Sequence, residues 1–123
     1  MDEELIHGLF ASDLAQDVRA EFNARREEGM NVADATSAVV VAFRHLLDRP
    51  EEGPIIIVAI AALQLQASAL SETMRDAAMD LLQEGHGFQV RPGEMRSARE
   101  AREALREALY TALSEADIVP SDE

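Results

Sequence analysis

One apolar segment, from Pro54 to Leu65, limits the possible folds of this chain more than any other feature. Its first part, Ile55 to Val58, alone has the composition of a buried strand, but the run continues to Leu65 without a turn signal. That length favours a helix. Because such a helix is apolar on nearly every side, we expect it to lie at the centre of the fold with other helices packed around it.

The rest of the chain carries helical patterns on both sides of this segment. All four patterns begin at or after a residue that commonly caps a helix N-terminus, and these caps are Ser12, Asn31, Ser71 and Ser97. Pro54 is expected at the first position of the central helix, where its missing N–H costs nothing. The predicted helices span about 13–28, 32–48, 54–68, 72–84 and 97–116, and an acidic tail, 117–123, follows.

Length and composition agree with one domain covering residues 1–123. Apolar residues make up 47% of the chain and aromatic residues only 4%, so the core is expected to be aliphatic. The fold class predicted is all-α, a single-domain bundle of about five helices with an apolar central helix. The chain has no Cys, which excludes disulfides, thiolate metal sites and a cysteine nucleophile.

Charge and the N-terminal residues bear on location and partners. Residues 1–4 are acidic where a signal peptide would be basic, and the longest apolar run is well short of the about 20 residues that span a membrane. We therefore predict a cytoplasmic protein that does not contact membranes. The formal net charge of −13 disfavours direct binding to nucleic acid and favours a basic protein as partner.

One short segment resembles a metal motif. Glu4 and His7 have the Glu-x-x-His spacing of di-iron carboxylate bundles. Such a centre needs two of these pairs and two further Glu residues facing a bundle interior, whereas the segment 54–65 contains no carboxylate and no His. We predict no metal and no cofactor.

Sequence features of an enzyme are sparse. None of the histidines, His7, His45 and His86, has an obvious partner, and no phosphate-binding loop or nucleophile elbow occurs. We therefore predict that the chain is not an enzyme. The alternative is a small enzyme, because catalytic partners are near in space and need not be near in sequence. That alternative requires at least two of His45, His86 and Arg91 to converge with an acidic residue in a pocket.

The long loop 85–96 carries a second alternative, an anion-binding site. His86, Arg91 and Arg96 lie just before the last predicted helix, whose free backbone N–H groups could help to hold an anion. The competing interpretation is that these two arginines pair with local acids.

Acidic residues recur at four-residue intervals on two predicted helices. Like charges at that spacing cost about 0.2–0.5 kcal/mol per pair, and Arg19 and Arg75 offset this only in part. Either the acids contact a basic partner or they form solvated faces. The first acidic stripe contains Asp13, Asp17 and Glu21, and the second acidic stripe contains Glu72, Asp76, Asp80 and Glu84.

Several short segments resemble an uncharacterised family of small bacterial proteins that begin with a Gly-Leu-Phe segment and a short acidic helix. The matching segments are Gly8-Leu9-Phe10 with Asp13, Ala15, Asp17-Val18-Arg19, Pro50-Glu51-Glu52-Gly53-Pro54 and Arg75-Asp76. The family places an aromatic pair, a Gln-Trp and a Gly-Arg-Leu where this chain has Ile56-Ile57, Gln64-Leu65 and Ser68-Ala69-Leu70. The family has no established activity, and some relatives look similar to immunity-type proteins.

Together these observations predict a non-enzymatic binding protein, similar to immunity-type proteins. Its partner would be a basic protein such as a toxin, engaged through the two acidic stripes. Apolar surface left uncovered by neighbouring helices would allow a homodimer. The alternative is a small enzyme or anion-binding protein that uses the loop 85–96 and the start of the last helix.

Overall fold

A computed structural model describes residues 8–84 and 96–119 of the chain. Within them the chain is helical, without a strand, so the all-α prediction is confirmed. The helices are α1 (Asp13–Glu27), α2 (Val32–Ala42), α3 (Arg44–Leu47), α4 (Glu52–Gln66), α5 (Glu72–Gln83) and α6 (Arg96–Glu115). None of these helices has both the length and the apolar composition needed to cross a membrane.

Side-chain caps begin three of the helices. Ser12 Oγ accepts a hydrogen bond from the Ala15 N–H (3.2 Å), and Asn31 Oδ1 accepts one from the Asp34 N–H (2.8 Å). Ser71 Oγ does the same for α5, and all three satisfy a backbone N–H that has no partner inside the helix. The prediction that Ser97 caps the last helix is wrong, because Ser97 is the second residue of α6.

Two helices end in the same C-terminal motif with different residues. At the end of α1 the Gly29 N–H donates to the Arg26 carbonyl (3.0 Å), and φ of Gly29 is +97°. At the end of α4 the Ser68 N–H donates to the Leu65 carbonyl (3.1 Å), and φ of Ser68 is +56°. Both ends are Schellman motifs, which require a left-handed residue and favour glycine. Ser68 therefore carries a conformational cost that Gly29 avoids.

The predicted helix 32–48 is wrong as one element, because Phe43 separates α2 from α3. Its backbone (φ −108°, ψ 15°) leaves the α-helical region, after three consecutive valines that weaken helix propensity. The bend places α3 against the start of α4. There a side chain at Gly53 would collide with the carbonyl oxygen of Leu47, so only glycine fits this close approach.

The start of α4 also differs from the prediction. The helix begins at Glu52, which makes Pro54 its third residue rather than its first. The missing N–H of proline still costs no hydrogen bond there, because the first four N–H groups of a helix have no intrahelical partner. The helix ends at Gln66, two residues before the predicted end.

The central position of α4 is as predicted, and it divides the core into two clusters. The first core cluster packs α1 and α2 against one side of α4, and the second packs α5 and α6 against the other. The buried residues of the first are Phe10, Ala15, Val18, Phe22, Ala35, Val39, Ile56, Ala59, Ile60, Ala62 and Leu63. Those of the second are Val58, Ala61, Leu70, Ala78, Leu82, Leu109 and Leu113.

Candidate functional site

The first acidic stripe lies on the solvent side of α1. Asp13 and Asp17 are exposed and make no ion pair with any residue that the structure describes. Glu21 is different, because its carboxylate accepts a hydrogen bond from Arg25 Nε at 2.8 Å. Arg25 Nη1 also reaches Glu28 (2.9 Å), and the bond to Glu21 raises the pKa of Arg25. Only the N-terminal part of this stripe is therefore unpaired.

The second acidic stripe lies on α5. Glu72 and Asp80 are exposed, and neither is paired within residues 8–84 and 96–119. Asp76 accepts from its neighbour Arg75, whose Nη2 lies 2.9 Å from Asp76 Oδ1. Glu84 is the exposed residue that caps the C-terminal end of the helix.

Two of these acids have a structural explanation. Asp13 and Glu72 are the first residues of α1 and α5, where the positive end of the helix dipole stabilises a carboxylate. Asp17 and Asp80 lie further along their helices, where this effect has faded. Both helices pack on α4 but not extensively on each other, so the stripes form two separate surfaces.

A groove that sequence reasoning missed lies between α1 and the end of α4. It has a volume of about 330 Å³ and is lined by Arg19, Phe22, Asn23, Arg26, Leu63, Gln66 and Ala67. From sequence spacing Arg19 is expected to offset part of the charge of the first acidic stripe, whereas in the structure it lines this groove. The signal that could have revealed the groove is the polar spacing of Arg19, Asn23 and Arg26, which places them on one side of α1.

A second groove, of about 430 Å³, lies between α5 and α6. Arg106 lines it, and its Nη1 donates to the Leu82 carbonyl at 2.8 Å. Arg106 also donates to Glu103, and this hydrogen bond lowers the pKa of Glu103. Through these two contacts Arg106 joins α6 to the end of α5. Its guanidinium is therefore already hydrogen-bonded within the fold and offers fewer free donors to a ligand.

Gln64 is the one buried polar side chain among the described residues, at 3% exposure. Its Nε2 donates to Thr36 Oγ1 (3.0 Å), and its Oε1 accepts from the Ser71 N–H (3.1 Å) and hydroxyl (3.2 Å). These bonds connect α4 to α2 and to the start of α5. Because its carbonyl accepts twice and its amide donates once, Gln64 has a structural role.

The residues proposed for the alternative functions are only partly described. His45 is exposed on α3 and lines neither groove, whereas His7, His86 and Arg91 lie outside the described residues. Arg96 is the exposed first residue of α6, and its Nε donates to Glu100 Oε1 at 3.1 Å. Glu4 also lies outside the described residues, within which no three His, Asp or Glu side chains are grouped to hold a metal ion.

Exposed apolar surface bears on the predicted homodimer. In the described part of the chain the exposed large apolar side chains are Val41, 61% exposed on α2, and Val119, 37% exposed after α6. Single exposed valines are common on soluble proteins and do not by themselves indicate an interface.

Comparisons with protein-family models, with curated proteins and with solved structures found no match to this chain.

Proposed function

We propose that this chain is a non-enzymatic binding protein that engages a basic protein in the cytoplasm through its exposed acidic helix faces, as an immunity-type protein would. The observation that carries the proposal concerns Asp17 and Asp80. Both are exposed, neither forms an ion pair with a described residue, and neither lies in the first turn of its helix. The fold therefore gains nothing evident from either charge.

The net charge of the chain extends the electrostatic attraction of these faces beyond direct contact. A chain of formal charge −13 attracts a basic partner before contact, and carboxylates grouped on one face orient the encounter. At about 0.1 M ionic strength the screening length is about 10 Å, so neighbouring carboxylates one helical turn apart act together. The proposal therefore requires binding that weakens steeply with added salt.

The test compares variants that carry the same net charge. One variant combines Asp76→Asn with Asp80→Asn on α5, and another combines Asp13→Asn with Asp17→Asn on α1. The control combines Glu107→Gln with Glu115→Gln, which removes two exposed charges from α6. Each protein is immobilised, mixed with a cytoplasmic extract of its host, and the captured proteins are identified. Circular dichroism checks that all variants remain helical.

If the proposal is right, a basic protein is captured by the wild type and by the control variant. One of the two stripe variants fails to capture it. For an identified partner, the association rate of that variant should fall on the order of tenfold at low salt. The proposal is wrong if the control loses the partner as fully as both stripe variants, because net charge alone would then explain capture. Capture that persists undiminished at about 0.5 M salt would also contradict it.

A further inference from the structure

The groove between α1 and the end of α4 concentrates positive charge in a strongly acidic chain. Arg19, Asn23 and Arg26 follow each other at intervals of four and three residues, so they share one flank of α1. Val18 and Phe22 point into the first core cluster beside them. Asp17 lies on the other side of the helix by the same geometry. The helix thus separates its unpaired positive charges from its acidic stripe.

Neither arginine of this groove is neutralised by the fold. The guanidinium carbon of Arg19 lies 4.6 Å from the centre of the Phe10 ring, a cation–π contact, and its N–H groups donate to no described residue. Arg26 donates one hydrogen bond from Nη1 to the Met30 carbonyl (3.0 Å). Neither pairs with a carboxylate in the described part of the chain, although acids outnumber basic residues. Arg25, by contrast, forms ion pairs with Glu21 and Glu28.

The backbone carbonyl groups near the end of α4 accept no hydrogen bond from the two arginines of the groove. Helix C-termini present free carbonyls that attract arginine side chains. Here the carbonyls of Leu63, Gln64 and Leu65 accept from backbone N–H groups of the Schellman motif, and no arginine hydrogen bond reaches them among the described residues. The guanidinium groups therefore lie at a groove edge with donors unused.

The remaining lining residues are suited to an organic ligand. Asn23 and Gln66 are exposed amides whose NH₂ groups donate hydrogen bonds, and Phe22 and Leu63 supply the apolar floor. A volume of about 330 Å³ is at the small end of known ligand sites. Two guanidinium groups favour a carboxylate or a phosphate, because their planar N–H donors match those oxygens.

We infer that this groove binds a small organic anion in which a carboxylate or phosphate is joined to an apolar group. Arg19 and Arg26 pair with the anionic oxygens, Asn23 and Gln66 donate hydrogen bonds to them, and Phe22 contacts the apolar part. This site shares no residue with the two acidic stripes, so its failure would leave the proposed function unaffected.

The test is an amide NMR titration of the full chain with phenyl phosphate, with benzoate and with neutral benzyl alcohol. Phenyl phosphate or benzoate should cause saturable shifts at the amides of Asn23, Arg26 and Ala67, while benzyl alcohol should not. The tighter of the two anions identifies the headgroup. The inference is overturned if neither anion gives saturable shifts at these amides, or if benzyl alcohol shifts them equally.

Matched variants separate the groove from net charge. Arg26→Gln should weaken binding of the anion about tenfold, whereas Arg44→Gln should not change it. Arg44 is also an exposed arginine, on α3, and it has no partner among the described residues. Equal losses in both variants would overturn the inference.

A second pair tests the same point without removing an arginine. Asn23→Asp places a negative charge in the groove and should abolish binding, while Gln83→Glu, an exposed position on α5, should leave it intact. Retained affinity in Asn23→Asp would contradict the site. Because Asn23 is exposed, the folded spectrum of this variant is expected to persist.

Discussion

The two core clusters on either side of α4 are built in different ways. The first contains two phenylalanines with branched and small side chains, and α1 and α2 are joined by a short turn around Gly29. The second relies on leucines, and α6 contributes to it the buried Leu109 and Leu113, with Leu105 and Tyr110 packed beside them and partly buried. Most side chains of α6 before Leu105 are exposed.

Two hydrogen bonds add to the apolar contacts on the side of α6. Arg106 binds the Leu82 carbonyl, and beyond the helix the Val119 N–H donates to the Leu70 carbonyl at 3.0 Å. Both sides of α4 therefore combine apolar burial with hydrogen bonds between helices, made by Gln64 on the first side and by Arg106 on the second. The second side buries fewer apolar residues than the first. We expect the second cluster to open before the first, because less apolar surface must be exposed.

The largest expected effect is the loss of a core side chain. Ile60→Ala, in the first cluster, should lower the free energy of unfolding by about 4 kcal/mol, because α4 is packed on both sides and cannot shift to fill the cavity. Leu109→Ala, in the second, should cost about 2–3 kcal/mol, because α6 can shift to fill the space. Urea denaturation followed by circular dichroism measures both. A larger loss for Leu109→Ala would contradict the comparison.

The next largest effect is expected at Gln64, whose side-chain amide connects α4 to α2 and to the start of α5. Gln64→Ala should cost about 2 kcal/mol, because it removes the partner of the partly buried Ser71 N–H and leaves a cavity at a buried side chain. Gln66→Ala is the control, since Gln66 is exposed on the same helix and should change stability by less than about 0.5 kcal/mol. Equal values from denaturation would show that the hydrogen bonds of Gln64 contribute nothing.

The two C-terminal motifs allow a reciprocal exchange. Gly29→Ala should destabilise the protein by about 1 kcal/mol through its positive φ alone, because no atom lies within 4 Å of the added Cβ. Ser68→Gly should stabilise it by about 0.5–1 kcal/mol, because glycine adopts the left-handed conformation at no steric cost. Shifts of the same sign in thermal unfolding would mean that φ does not control these ends.

The smallest effect is a pH dependence on the side of α6. The hydrogen bond from Arg106 lowers the pKa of Glu103 below its unfolded value. Its contribution to stability is therefore present above the ordinary glutamate pKa and is lost as the pH falls through the lowered pKa. Glu103→Gln should flatten this part of the stability profile measured by denaturation from neutral to acid pH. Glu115→Gln serves as the control, because Glu115 is exposed on the same helix and pairs with no described residue. An equal change there would contradict the assignment.

Local chemistry made much of the fold predictable. Ser12, Asn31 and Ser71 accept hydrogen bonds from N–H groups three residues ahead, so the residues needed for the prediction lie next to each other in the chain. The break at Phe43 was not predictable in this way. It accompanies the close approach of α3 to Gly53, a contact between two elements that the local pattern of either does not contain.

The candidate sites divide in the same manner. Four-residue spacing is enough to place Asp17 and Asp80 on exposed helix faces. The same spacing suggests Arg19 as relief for nearby acids, whereas its guanidinium lies over Phe10, beside the end of α4. The pairing of an arginine depends on which neighbours reach it in space, and sequence spacing lists only those on its own helix.

By itself, then, the sequence determined the helical class, the central place of the segment ending at Leu65 and three of the four predicted N-terminal caps, because periodicity and capping act over one or two turns. Tertiary structure decided that Gln64 would be buried with three hydrogen bonds and that Arg19 and Arg26 would share a groove with the end of α4. Each of these depends on packing between helices that the chain brings together only when it folds.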